Sequence, residues 1–311
     1  MGETTPAERR LPTRTPTLAG GRLPAPLLIL VAAVSVQVGA GLAVRMIDRA
    51  GPLVAVWLRL AFGALMLAIA RPAWRSRPGR NAWRAAILFG AVLAAMNASF
   101  YVAISRIPLG VAVTLEFWGP LAVAVLSSRR PLDLLWAALA AAGILTLAGG
   151  RLATDDVVGV AFALAAGSFW IVYILQGTRL GAAWPDGRGL GAAMVVGAGL
   201  LAVPALASGS SGLVDPWVLG AGVVVALFSS VIPYTLELAA LRRLSAGAYG
   251  VLTSLDPAVA ALVGLAFLGQ ELDAADLIAI ACVVVASAGA SLETRGRRQA
   301  GVPEESLVVA D

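Results

Sequence analysis

Glu116 and Pro120 stand four residues apart inside an apolar run, and Asp256 and Pro257 recur side by side inside another. A charge near the centre of a bilayer costs about 2.5 to 3.5 kcal/mol per residue on insertion scales, so each acid there needs a partner, a cavity or a task. Proline has no N–H, so Pro120 cannot donate to the Glu116 carbonyl, and a titratable carboxyl and a free backbone acceptor fall on the same turn. Gly119, next to Pro120, adds a second weak point, so Gly119 and Pro120 are expected to kink the helix. Loosened backbone at membrane depth is tolerated where it lines a cavity, which makes this the chemistry of proton or solute exchange.

Asp-Pro is also the signature of a helix N-cap followed by proline in the first turn, so capping and function both stand as readings of Asp256 with Pro257. Tyr249, Thr253 and Asp256 follow at i, i+4 and i+7 and give that run one polar face. Ser230, Pro233, Tyr234 and Glu237 make a second polar stripe with its own proline kink. Glu237 is close to Arg242 and Arg243, so a local ion pair is the preferred reading over a transport role. Arg59 sits at a depth similar to that of Glu116, either as its ion-pair partner or as a contact for a substrate carboxylate. Gln37, Asn97 and Tyr101 offer hydrogen bonds either to a cavity or between helices.

These residues need elements to hold them. With 311 residues, 59% hydrophobic, 13% charged and a mean hydropathy of +0.86, the chain is a polytopic membrane protein. Ten apolar runs are long enough to cross: 27 to 46, 52 to 70, 83 to 104, 108 to 127, 132 to 150, 157 to 176, 189 to 207, 217 to 239, 246 to 268 and 274 to 291. The polar tails, 1 to 23 and 293 to 311, are expected to be disordered and cytoplasmic. The first apolar run is longer than the apolar core of a signal peptide, so no cleaved leader is expected.

A net charge of +5 and a pI of about 10.3 raise the question of nucleic acid, and the placement of the charge answers it. Arginines gather in the segments 9 to 22, 71 to 84, 129 to 130, 179 to 188, 242 to 243 and 295 to 298. The opposite side holds Arg45, Arg49, Arg106 and Arg151. The positive-inside rule then puts both termini in the cytoplasm and requires an even number of crossings. The chain has no His and one Cys, Cys282, so no intrachain disulfide, multi-cysteine metal site or cofactor is expected.

Superposing Pro120 on Pro257 also matches Arg106 with Arg243 and Gly110 with Gly247, and Gly149 matches Gly289 after a short indel. Five spans are therefore duplicated, residues 24 to 150 and 151 to 292. Five is odd, so the second copy must cross in the opposite sense. The expected fold is all-α, with ten transmembrane helices as two inverted five-helix repeats about a central site.

Several segments carry a family resemblance. They are the run from Pro108-Leu109-Gly110 through Thr114-Leu115-Glu116-Phe117-Trp118-Gly119-Pro120, then Ser127-Ser128-Arg129-Arg130-Pro131, Pro233-Tyr234-Thr235-Leu236-Glu237, and Ser254-Leu255-Asp256-Pro257-Ala258. Together they resemble the EamA family of the drug/metabolite transporter superfamily, and within it the threonine/homoserine exporter branch. The resemblance implies a bacterial inner-membrane protein that exports small amino acids in exchange for protons. It directs attention to Glu116, Pro120, Glu237, Asp256 and Pro257. The chain departs from the family at Asp256, where Glu is usual, and at Gln270, where an acid is usual.

The leading expectation is proton-coupled export of threonine-like amino acids by alternating access, with amino acid, protons and lipid as the only partners. The alternative is efflux of another small metabolite or toxic amphiphile. Gln37 stands where a small multidrug pump would carry Glu in its first span, which argues against cationic drugs. An intramembrane enzyme is disfavoured, because the serines have no evident base and there is no His.

Overall fold

The computed structural model describes residues 24–70, 72–76, 78–126, 131–152, 156–184, 187–208, 211–233, 236, 240 and 252–299. Tyr234, Glu237 and Tyr249 lie outside the described residues, as do both chain tails apart from the stretch up to Gln299. Among the described residues every regular element is helical. They are α1 (Ala25–Ala70), α2 (Arg80–Ile104), α3 (Leu109–Glu116), α4 (Trp118–Leu126), α5 (Pro131–Leu152), α6 (Val157–Ala183), α7 (Gly189–Ala207), α8 (Pro216–Ala226), α9 (Asp256–Leu268) and α10 (Ala274–Gln299). A π-helical turn, Leu227–Val231, continues α8.

α1, α2, α6 and α7 are each long and apolar enough to cross a bilayer, and α3 with α4, α8 with its π turn, α9 and α10 form shorter apolar segments. Large apolar side chains point outward, with Ile69 74%, Val203 73% and Leu145 69% exposed. Small residues fill the interior, among them Ala40, Ala43, Ala112, Ala163 and Ala260. That distribution suits lipid outside and close helix contact inside, because packing rather than hydrophobicity must hold helices together in a membrane.

At about 1.5 Å per residue, α1 would be about 69 Å long if straight, more than twice a hydrocarbon core of about 30 Å. It breaks at Gly51, whose φ of 78° and ψ of 161° suit glycine alone, and Pro52 follows in the first turn of the second limb. The limbs fold back on each other. Ser35 and Arg59, about 36 Å apart on a straight helix, reach the adjacent carbonyls of Phe228 and Ser229.

The loops sort to two ends. At one end Arg49 stacks on Trp217, 4.3 Å from its ring centroid, and approaches Asp215 at 3.9 Å. Arg45 donates to the Phe267 carbonyl at the same end. At the other end Trp184 donates from Nε1 to the Ala82 carbonyl at 2.9 Å and packs edge-on to Trp83. This anchoring explains why α6 continues to Ala183, past the expected limit of 176. α10 likewise runs past 292 into the expected tail, to Gln299.

Candidate functional site

The kinks make the site, and each follows from a missing amide. Pro233 cannot donate to the Ser229 carbonyl four residues earlier, and the Ile232 N–H bonds to Leu227 instead of Phe228, the π register. Two consecutive carbonyls are thereby released inside the bundle. α1 supplies both donors: Ser35 Oγ donates to Phe228 O at 2.7 Å and Arg59 Nη2 to Ser229 O at 3.1 Å. Gly39 permits this closeness, since a Cβ there would collide with the Ser229 hydroxyl.

In α3 and α4 the same logic gives a milder bend. The Phe117 N–H still reaches Val113 O at 3.0 Å and Leu121 N–H reaches Phe117 O at 3.3 Å, while Pro120 leaves Glu116 O without its helical donor. That carbonyl lies against α6 at Gly167, where a Cβ would come within 2.5 Å of it. Trp118 Nε1 donates to Leu164 O at 2.8 Å and pins the bend to α6. A Cβ on Gly119 would strike the Gly167 carbonyl, so two glycines face each other where the bend crosses α6.

Glu116, the last residue of α3, is buried at 8% exposure and interacts electrostatically with both Arg59 and Asp256. Among the described residues no direct ion pair joins Arg59 to Glu116. The Arg59 Cζ lies 5.7 Å from the Tyr101 ring centroid, and Tyr101 is fully buried. Gln37 and Asn97 are buried as well. Asn97 donates its amide to Leu93 O at 2.8 Å, within its own helix, so packing accounts for it. The Gln37 Oε1 and Arg59 Nε have no hydrogen-bond partner among the described residues, and the Tyr101 hydroxyl has the Arg59 guanidinium as its polar neighbour. Buried polar atoms are normally satisfied, so such a group is where a ligand or water would be expected.

Asp256 opens α9 and Pro257 follows it; the N-cap position belongs to Leu255, which contributes no side-chain hydrogen bond. The carboxyl of Asp256 is in the first helical turn, where the helix dipole favours negative charge. Thr253 is half-buried one turn earlier. Pro233 is buried directly after the π turn.

Sequence reasoning missed three contributors. Ser35 and Ser229 were legible in principle, because a proline in a buried helix releases a known carbonyl that some donor must meet. Gln270 reads in the sequence only as a departure from the family, yet its Oε1 accepts from the Leu109 N–H at 2.9 Å and so caps α3 from the end of α9. Gly269, left-handed at φ 63°, turns the chain so that the Gln270 N–H bonds back to Gly264 O at 3.1 Å.

A bundle of apolar helices with proline-released carbonyls, and with a buried glutamate in its interior that interacts with an arginine and a second carboxylate, is the architecture of a membrane transporter. The chain belongs to the EamA-like transporter family, whose sequence profile matches residues 157–292. It is 40% identical over 273 residues to the threonine/homoserine exporter RhtA of Escherichia coli strain K12, spanning 86% of this chain and 92% of that protein. It is 39% identical over 276 residues to RhtA of Salmonella typhimurium strain LT2, spanning 88% of this chain and 93% of that protein. One crystal structure aligns with a TM-score of 0.62 at 20% identity over 88% of this chain and 98% of its own, a likeness that bears on the fold alone.

Proposed function

We propose that this protein exports small neutral amino acids such as threonine and homoserine, exchanging them for protons by alternating access. The observation that carries the reading is buried Glu116 interacting with the half-buried Arg59 and Asp256, beside helices opened at Pro120, Pro233 and Pro257. A zwitterion needs a cation for its carboxylate and a carboxylate for its ammonium, and this group supplies both signs. The open valence of Gln37 suits the side-chain hydroxyl of threonine. Glu116 is the proposed proton carrier, since a carboxyl beside one arginine and a second acid can exchange a proton for an ammonium group. The curated relatives named as threonine/homoserine exporters point to the same substrate class. Glu237, Tyr234, Tyr249 and Thr253 are assigned to the lining of the same pathway from the sequence pattern.

Ten spans in two inverted repeats remain the proposed architecture. Its support is that exchanging spans 1 to 5 with 6 to 10 maps one set of close contacts onto another. Gly41 against Val263 corresponds to Gly119 against Gly167, and Gly222 against Leu58 corresponds to Gly90 against Ala193. Spans 4 and 9 meet each other at Gly110 and Ala261, and spans 5 and 10 at Gly143 and Ala279. The arginine-rich end that holds Arg75, Arg80 and Arg84 is proposed to face the cytoplasm of a bacterial inner membrane.

The test is threonine efflux from proteoliposomes under an imposed pH gradient, with Glu116→Gln as the variant. Gradient-driven flux indistinguishable from that of the native protein would remove Glu116 from the coupling step. Flux of other metabolites without threonine would favour the alternative of broader efflux.

A further inference from the structure

A groove of about 310 Å³ lies between α2 and α6, remote from the buried acids. Asn81 and Arg84 line one wall, Gln176 and Arg179 the other, and Leu88 lies one turn below Arg84. We propose that this groove binds the phosphodiester headgroup of an anionic phospholipid, with the acyl chains running down the outer face of α2 and α6.

Charge is the first argument. Neither α2 nor α6 contains an acidic residue, and neither Arg84 nor Arg179 has a carboxylate within 4.0 Å among the described residues. Two arginines facing one another across a groove repel unless an anion lies between them. Guanidinium groups flanked by amide donors match phosphate oxygens, which accept several hydrogen bonds at once.

Depth is the second. Arg84 lies in the second turn of α2 and Arg179 in the last turns of α6, near the aromatic pair Trp83 and Trp184. Trp83 is 41% exposed, the half-wet position tryptophan takes at a membrane surface. Moving toward the middle of the helices, the surface changes from Asn81 and Arg84 to Leu88, 55% exposed, and from Arg179 to the exposed Leu175 and Val172. Polar above and apolar below is the profile of a lipid rather than of a free anion. A volume of about 310 Å³ is adequate for a phosphate-bearing headgroup. Basic grooves between helices at such an end are known lipid sites in general terms. The proposal needs only that the chain is embedded in a membrane and does not depend on which solute it carries.

Native mass spectrometry of the full chain released from nanodiscs containing phosphatidylglycerol and phosphatidylcholine tests it. The native protein is expected to keep phosphatidylglycerol in preference to phosphatidylcholine. Arg84→Gln and Arg179→Gln should each lower that retention about fivefold, whereas Arg75→Gln, at the same end but outside the groove, should not. Lysine at either position should preserve most of it. Equal retention of the two lipids, or an equal loss with Arg75→Gln, would overturn the site. Displacement by inorganic phosphate alone would assign the groove to a free anion and overturn the lipid. Should Arg84→Gln fail to fold, Arg179→Gln on the facing wall tests the same groove.

Discussion

Arg59 on the second limb of α1 donates a 3.1 Å hydrogen bond to the carbonyl of Ser229, the acceptor that Pro233 strips of its helical partner. One side chain thus holds the opened helix and faces Glu116 at the same time. A substrate carboxylate arriving at Arg59 would compete with the Ser229 carbonyl, and through it with the conformation of the π turn.

This relationship predicts a coupled pair. Arg59→Gln should destabilise the protein by about 1.5 to 3 kcal/mol, the range for a hydrogen bond to a charged group. Pro233→Ala restores an amide to Ser229, so the same change made in that background should cost about 1 kcal/mol less. Thermal unfolding in detergent of the two single variants and the double variant measures the coupling. Additive effects would show that the two residues act apart.

Under the proposed exchange for protons, replacing the carboxyl of Glu116 should separate transport from coupling. Glu116→Gln should abolish the response of threonine flux to an imposed pH gradient while leaving substrate exchange at zero gradient within about threefold of native, because only the proton-carrying step loses its group. Paired uptake and counterflow assays in proteoliposomes distinguish the two.

The bend at Pro120 depends on a side-chain-free surface. Gly167→Ala would place a methyl 2.5 Å from the Glu116 carbonyl and against Trp118. An overpacking cost of about 1 to 3 kcal/mol follows, with a larger loss for Gly167→Val. Gly181→Ala, on the same helix with nothing within 4 Å, is the control and should leave the melting temperature unchanged or slightly raised. Differential scanning fluorimetry reads all three.

Gln270 is predicted to act through its acceptor oxygen alone. Gln270→Leu leaves the first amide of α3 without a cap and should cost about 1 kcal/mol. Gln270→Glu keeps an oxygen in place and should be close to native in stability. Equal losses in the two variants would mean that packing against Gly264, rather than the hydrogen bond, sets the role of Gln270.

Much of this protein is local, and what is local was legible. Hydropathy showed a membrane protein, because the cost of burying polar groups in lipid falls on each residue separately. Pro120, Pro233 and Pro257 marked the loosened helices, because a missing N–H is a property of proline in any fold. Gly51 fell in the gap between the first two apolar runs, and Pro52 opened the second. Which donor meets each released carbonyl was a different kind of question. The sequence suggested Glu116 as one partner for Arg59, whereas the folded chain gives the Arg59 hydrogen bond to Ser229 and holds Glu116 further off. The cap at Asp256 passed to Leu255, and Gln270 became the cap of another helix. Arg59 with Ser229 and Gln270 with Leu109 join residues 170 and 161 positions apart, and apolar helices of similar composition allow many rival neighbours. Only the packed arrangement, where the facing glycines Gly119 and Gly167 permit one close crossing, selects among them.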